Sequence, residues 1–379
     1  MLARLETELS AEAIGELPYE TPYFLISERA LLRRLGEFRR CFPGAAIHYA
    51  VKANSDERVI QILAAEGCGF EAASRYELDY LQQANVAPDR IIYGTSVKPV
   101  SHIEAFAAYG VDRFALDSRS ELEKIAKAAP GARVYARIKV NDAGSVFKFS
   151  EKFGTDKASA ADLLVRAREA GLKPYGLSFH VGSQARNRAA WRSALGDVAD
   201  VMRSLEGQGI KIEALNLGGG FPCEYASSEQ VPGLDEIAQS VAEGRGRLPY
   251  QPEIIIEPGR GIVAEAAVVV TSVIGRIERG DKIWLFLDAG VYNAVFETMA
   301  YQGSTRYPVE SLRFSNESGE ALFALAGPTG DAPDVITREA LLPRDMNVGD
   351  KLIIRNAGAY SLSVASRFNG FPAPAVHFV

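Results

Sequence analysis

Eight short runs of β-branched and aromatic residues, each followed by a stretch of helical periodicity, constrain this chain more than any other feature. They are AIHYAVKA around His48, GFEAAS around Phe70, RIIYGTS around Tyr93, RFALDS around Phe114, VYARIKV around Arg137, YGLSFHVGS around Phe179, ALNLGGG around Asn216 and EIIIEPGRG around Ile256. The stretches between them, such as DERVIQILAAEG, SRYELDYLQQAN, SHIEAFAAYG, SELEKIAKAA and ASAADLLVRAREAG, repeat apolar residues at three- and four-residue spacing. Such alternation is the mark of parallel βα units. Eight units favour a closed (β/α)8 barrel of the α/β class over an open sheet.

Beyond residue 266 the pattern changes to β runs without helices between them: AAVVVTSVIGRIE, DKIWLFLDAGVY, SLRFSN, ALFALAGP and DKLIIRNAGAYSL, punctuated by Gly, Asn and Asp. This reads as a second, antiparallel β domain. The segment TPYFLIS around Phe24 precedes the first barrel run and can lend that domain a strand, which gives a barrel over 26–266 and a β domain from 1–25 plus 267–379. Two connections, 141–156 and 222–233, are long enough to be functional loops.

The 379 residues accommodate both domains, and 47% hydrophobic content is enough for a large core. With 42 basic against 48 acidic residues, a net charge of −6 and no basic run, a nucleic-acid partner is not expected. Cys41, Cys68 and Cys223 are odd in number and widely spaced, which argues against a disulfide framework or a metal site. No opening stretch has the apolar core of a signal peptide and no run approaches the roughly 20 apolar residues of a membrane span, so a cytoplasmic protein is expected.

A βα barrel places its chemistry where strands end, and several polar residues fall there. Lys52 closes the first run in YAVKAN. It is either a solvated lysine or a partly buried amine with a lowered pKa that can form a Schiff base with a carbonyl cofactor. Gly218, Gly219 and Gly220 end the seventh run, where they can form a tight turn or let backbone N–H groups approach a phosphate. Glu257, Gly259 and Arg260 end the eighth, either as a surface ion pair or as groups at the same mouth. Together these elements suggest a phosphorylated, nitrogen-containing cofactor. His180, in SFHVGSQ, has no second histidine nearby and either packs or stacks on a planar ring. GPTGDAPD around Asp331 and NAGAYS around Tyr360 read in isolation as loops.

Taken in order and spacing, YAVKAN, SFHVGSQ, LNLGGGFP, IEPGR, GPTGD and GAYSLSVASRFNGFP resemble the fold-type III pyridoxal-phosphate decarboxylases, the ornithine, lysine and diaminopimelate decarboxylase family, and most of all its bacterial ornithine decarboxylase-like members. The resemblance covers nearly the whole chain. It implies a barrel of the alanine racemase type with a C-terminal β domain, pyridoxal 5'-phosphate as cofactor, and a head-to-tail homodimer with shared active sites. Carried over, Lys52 is the lysine that holds the cofactor, His180 stacks on its ring, and Gly218, Gly219 and Gly220 with Gly259, Arg260 and Tyr360 cradle its phosphate. Ser183 lies close to the cofactor. Glu71 is the acid of the second-strand motif with Arg137 as its partner, and Glu257 faces the pyridine nitrogen. A carboxylate there keeps that nitrogen protonated and favours decarboxylation, whereas racemases of the same barrel carry an arginine.

Two departures bear on the substrate. The family's usual GPTCD has Gly330 in place of the cysteine that assists protonation, and Asp288-Ala289-Gly290 lacks one of two candidate amine-binding acids. Asp331 remains to bind a distal cation from the neighbouring subunit, with Asp288, Tyr292, Gly330 and Phe368 also assigned to the substrate pocket. The leading expectation is decarboxylation of an ornithine- or lysine-like L-amino acid to an amine and CO2. The alternatives are a larger or carrier-protein-linked amino acid in siderophore or antibiotic biosynthesis, decarboxylation-dependent transamination owing to Gly330, and a non-catalytic binding protein like the antizyme inhibitors. Product identity separates the first three, and cofactor colour the last.

Overall fold

A computed structural model describes residues 7–226, 230–300, 305–313 and 319–379. The chain divides into two compact units, Leu35–Pro222 with Val231–Gly259, and Met1–Arg34 with Cys223–Gln230 and Arg260–Val379.

The first unit is a closed barrel of eight parallel strands. In chain order they are Ala46–Ala50, Gly69–Ala72, Ile91–Tyr93, Arg113–Leu116, Arg133–Arg137, Lys173–Ser178, Ala214–Asn216 and Glu253–Ile256, and the eighth pairs back onto the first. All eight expected runs supply one. Parallel strands between a packed interior and a helical layer are buried on both faces, which explains their unbroken apolar sequences. Inside the barrel Ile92, Tyr135, Tyr175, Ala214 and Ile255 form one cluster, and the two tyrosine rings meet edge-on at 5.2 Å. Helices begin where a short polar side chain caps them: Asp56 accepts from the Arg58 and Val59 N–H groups, Ser74 from Glu77, Ser118 from Glu121 and Asp156 from Ser159. The expected loop 141–156 contains a strand, Ser145–Phe147, which pairs with Ser183–Ala185 in a two-stranded ribbon.

The second unit is an eight-stranded sheet. Its longest strand, Ala267–Arg279, pairs first with Tyr23–Ile26 and Lys351–Ile354, then breaks register between Val273 and Gly275 and pairs with Lys282–Leu287. Tyr23–Ile26 thus joins the sheet as expected, and its Tyr23 and Leu25 pack with Val268, Val270 and Ile353. The sheet is mostly, not wholly, antiparallel, because Lys282–Leu287 with Glu320–Ala326 and Tyr23–Ile26 with Ala375–Phe378 are parallel pairs. Two strands have no counterpart in the sequence reading, Val335–Pro343 and Ala375–Phe378. Among the described residues no helix is long and apolar enough to cross a membrane.

Candidate active site

The ends of the barrel strands surround a cavity of ≈ 230 Å³ whose polar lining includes Lys52, Glu71, Arg137, His180, Asn216 and Glu257. Its apolar lining includes Ala73, Ala115, Phe149 and Phe153. Lys52 sits in the single turn Val51–Ala53 that follows the first strand, with its side chain 44% exposed, and its Nζ lies 2.6 Å from Oε2 of the buried Glu71. The sequence expectation pairs Glu71 with Arg137, whereas the structure pairs it with Lys52. Ala50 and Glu71 are in register on adjacent strands, so a lysine two residues beyond Ala50 reaches Glu71 directly. Arg137, on the fifth strand, lies instead over the Phe153 ring at 5.1 Å.

Glu257 follows the eighth strand. Its Oε1 accepts a 2.6 Å hydrogen bond from Asn216 Nδ2, while Asn216 Oδ1 accepts from the Gly218 N–H at 2.9 Å. Burial, followed by the negative charge of Glu71, raises the Glu257 pKa above the ordinary carboxylate range. His180 accepts at Nδ1 from the Gly182 N–H at 3.0 Å, which leaves Nε2 to carry the ring proton. Burial, then the nearby charges of Arg137 and Lys52, hold its pKa well below the usual histidine value, so the imidazole is neutral. Phe149 meets the ring edge-on at 4.9 Å.

The glycine turn after the seventh strand has no room for side chains. A Cβ on Gly218 would collide with the Phe179 carbonyl, one on Gly219 would stand 2.8 Å from the Glu257 carbonyl oxygen, and one on Gly220 would stand 2.6 Å from that of Gly182. Gly218 and Gly220 adopt positive φ, +64° and +99°. The N–H groups of Gly219 and Gly220 meet no acceptor among the described residues. Two successive unpaired N–H groups in such a turn form a nest for an anion. Gly259 packs just as closely, since a Cβ there would stand 2.8 Å from that of Ala53. Ser183 lies in the ribbon that pairs it with Phe147.

In the second unit Arg260 is buried in a two-pronged ion pair with Glu297, at 2.6 and 2.7 Å, and donates to the Tyr225 hydroxyl at 2.8 Å. Its guanidinium lies 4.9 Å from the centroid of the Tyr360 ring. The Tyr292 hydroxyl donates to Asp331 Oδ2, and the Tyr292 ring lies 4.5 Å from Phe368. A Cβ at Gly330 would meet nothing within 4 Å, so the position is open. Asp288 serves the sheet: Oδ1 accepts from the Thr271 hydroxyl and the Ser272 N–H, and Oδ2 from the Thr21 hydroxyl. Asp334, 1% exposed, holds two loops together by accepting from the Val291 N–H at 2.8 Å, the Thr329 N–H at 3.0 Å and the Thr329 hydroxyl at 2.6 Å.

Residues 28–264 match the family model described as pyridoxal-dependent decarboxylase, pyridoxal binding domain. The chain belongs to the pyridoxal-dependent decarboxylase family. Lysine/ornithine decarboxylase of Selenomonas ruminantium is 35% identical over 359 residues, covering 94% of this chain and 90% of that protein. Antizyme inhibitor 2 of Xenopus laevis is 32% identical over 397 residues, covering 99% and 85%. The crystal structure of lysine/ornithine decarboxylase from Vibrio vulnificus complexed with putrescine matches with a TM-score of 0.89 at 30% identity, covering 99% of each chain.

The protein is therefore a pyridoxal-phosphate-dependent amino-acid decarboxylase. The residues present fit that cofactor: an amine reaching the cavity for its aldehyde, a carboxylate of raised pKa, a neutral flat ring, and an anion nest with unpaired donors. Asn216, Asp334 and Glu297 were not legible as functional in the sequence. For Asn216 the available signal is a polar residue closing an otherwise apolar strand, directly before the three glycines.

Proposed function

We propose that this decarboxylase acts on an L-amino acid with a distal amine, of the ornithine or lysine type, and releases an amine and CO2. The observation that carries the substrate class is Asp331, whose carboxylate accepts from the Tyr292 hydroxyl while the Tyr292 ring lies against Phe368: a negative charge next to a pair of aromatic rings suits an ammonium. The names of the Selenomonas and Vibrio relatives support the same class. Following the family resemblance, the chain forms a head-to-tail homodimer in which Asp331 serves the neighbouring subunit.

In this reading Lys52 would anchor the cofactor, and its amine, 2.6 Å from Glu71, would be placed to hold or deliver a proton. Bound pyridoxal phosphate supplies the electron sink for the pair left behind by CO2. Glu257, oriented by Asn216, holds the proton on the ring nitrogen. His180, neutral and fixed by Gly182, packs as a flat surface without adding charge. Gly219 and Gly220 offer their N–H groups to the phosphate. Phe149 and Phe153 exclude water from the region where the carboxylate is lost.

Purified, cofactor-loaded protein given L-ornithine, L-lysine, L-arginine, meso-diaminopimelate and carboxynorspermidine should release CO2 fastest from ornithine or lysine, with the matching diamine by mass. Turnover of none of these would sink the substrate class. The open position at Gly330 favours a second reading, a larger or carrier-linked substrate, or proton delivery to the cofactor. Aldehyde with pyridoxamine phosphate among the products would support the latter.

Asp334 offers a sharper check. It ties Val291, next to Tyr292, to Thr329, next to Gly330, and Asp334→Asn points an amide donor at backbone N–H donors. Leaving one such group unsatisfied costs about 1–3 kcal/mol, so KM for the diamino acid should rise about 10- to 100-fold with kcat little changed. A fall in kcat at constant KM would show that the loop does not serve substrate binding.

A further inference from the structure

The barrel has one thin seam. Its third and fourth strands share a single register pair, Tyr93 with Phe114, whereas the second and third share three and the fourth and fifth share four. Backbone bonding alone holds the seam weakly at the cavity end, and there the chain places a lysine. The Lys98 side chain has no exposed surface. Its Nζ donates to the carbonyls of Thr95, at 2.7 Å, and Ser96, at 3.2 Å, on one side of the seam, and to the carbonyl of Ala115 on the other. Glu121 supplies the countercharge at 3.5 Å, and its Oε2 accepts from the Lys98 backbone N–H at 3.2 Å. Lys124 pairs with Glu121 and donates to the Lys98 carbonyl at 2.6 Å.

A buried ammonium is costly unless every donor is used and a charge opposes it, and both conditions are met here. Burial lowers the Lys98 pKa to about 8 against the pull of Glu121, so the clamp stays mostly charged at neutral pH. Thr95 and Ala115, whose carbonyls it binds, line the cavity from either side of the seam. Gly94, one residue before Thr95, abuts Glu71 so closely that a Cβ would stand 2.6 Å from both Cγ and Oε1 of that carboxylate. The Gly94 N–H also donates to the carbonyl of Ala72, the residue after Glu71, at 3.3 Å. A chain of contacts therefore runs from Lys98 through the Gly94–Thr95 segment to Glu71 and so to Lys52.

We propose that Lys98 is a positioning residue, a built-in cation that closes the seam between the third and fourth strands and thereby sets the contact between Glu71 and Lys52. The proposal rests on the reading that Lys52 carries the cofactor, and the test separates the two. Lys98→Met keeps the length and removes the charge. In the cofactor-loaded protein without substrate, the pH midpoint of the visible band of the Lys52-linked cofactor reports the charge held beside Lys52. It should fall by about one unit in Lys98→Met, about a tenfold change in that protonation equilibrium, and the cofactor should dissociate more readily. Leu164→Ala, a buried change in the helix Lys157–Glu169, serves as a control that lowers thermal stability without touching the seam. A midpoint and affinity in Lys98→Met no different from Leu164→Ala would overturn the proposal. If Lys98→Met does not fold, Glu121→Gln, which strips the countercharge, decides it: a smaller shift in the same direction supports the clamp and an unmoved midpoint overturns it. A wild-type protein with no visible band would instead defeat the assignment of Lys52.

Discussion

Lys52→Ala is expected to abolish turnover and the visible band of the bound cofactor together. Arg137 is the other cation among the residues that line the cavity, and a guanidinium does not form the needed carbon–nitrogen bond at neutral pH. Lys98, a lysine close to the strand ends, is sealed from the cavity and committed to three carbonyls. Among the described residues that line the cavity, no second amine is present to take over. The loss in kcat should be on the order of 10³- to 10⁴-fold, since in the proposed reading one residue both anchors the cofactor and moves the proton. Removing the side chain also opens a space beside the Glu71 carboxylate, so a small primary amine added to the buffer should restore part of the activity. Absorbance spectra, steady-state rates and the amine titration check this. More than about one percent residual activity with the band intact would assign the anchor elsewhere.

How much of this was legible in the sequence follows from what each position depends on. The barrel strands could be read one by one because burial on both faces imposes an apolar, β-branched run whatever the neighbouring strand is. Lys52, His180, the three glycines and Glu257 could be read because a polar or bare residue at the end of such a run conflicts with that burial, whereas Glu71 came only from the family resemblance. Val335–Pro343 was missed because it alternates weakly and carries Arg338 and Glu339 mid-strand, so that only pairing with Glu320–Ala326 defines it. Supporting residues were missed for a related reason. Asn216 acts on Glu257 across 41 residues, Glu297 on Arg260 across 37 and Asp334 on Val291 across 43, and no local pattern records such partners. Lys52 rather than Arg137 makes the direct ion pair with Glu71, because strand adjacency decides which cation reaches the acid, while the charge of Glu71 still acts on Arg137.

Glu257→Gln should separate the cost of this site from its use. Glutamine keeps an oxygen to accept from Asn216 Nδ2, so the side chain stays in place while its charge is lost. Without a carboxylate to hold the proton on the ring nitrogen, the electron sink weakens, and kcat should fall on the order of 10²- to 10³-fold with a smaller change in KM. Stability should move the other way. Because burial and Glu71 raise the folded pKa of Glu257 above the ordinary value of 4.5, its contribution to folding is complete below that value and is lost as pH rises through the folded pKa. At pH 8 the wild-type chain bears the cost of a buried carboxylate beside another; at pH 4 the group is largely protonated and the cost is gone. Cofactor-free Glu257→Gln should therefore melt above the wild type at pH 8 and alongside it at pH 4. Melting curves at the two pH values, with steady-state rates on the loaded enzyme, test both halves. Equal melting at pH 8 would mean that Lys52 and Arg137 fully neutralise the carboxylates, and an unchanged kcat would mean that Glu257 does not face the ring. The opposite signs share one cause: the buried charge of Glu257 beside Glu71, which costs the folded chain stability, is the charge that in the proposed reaction would keep the ring nitrogen protonated.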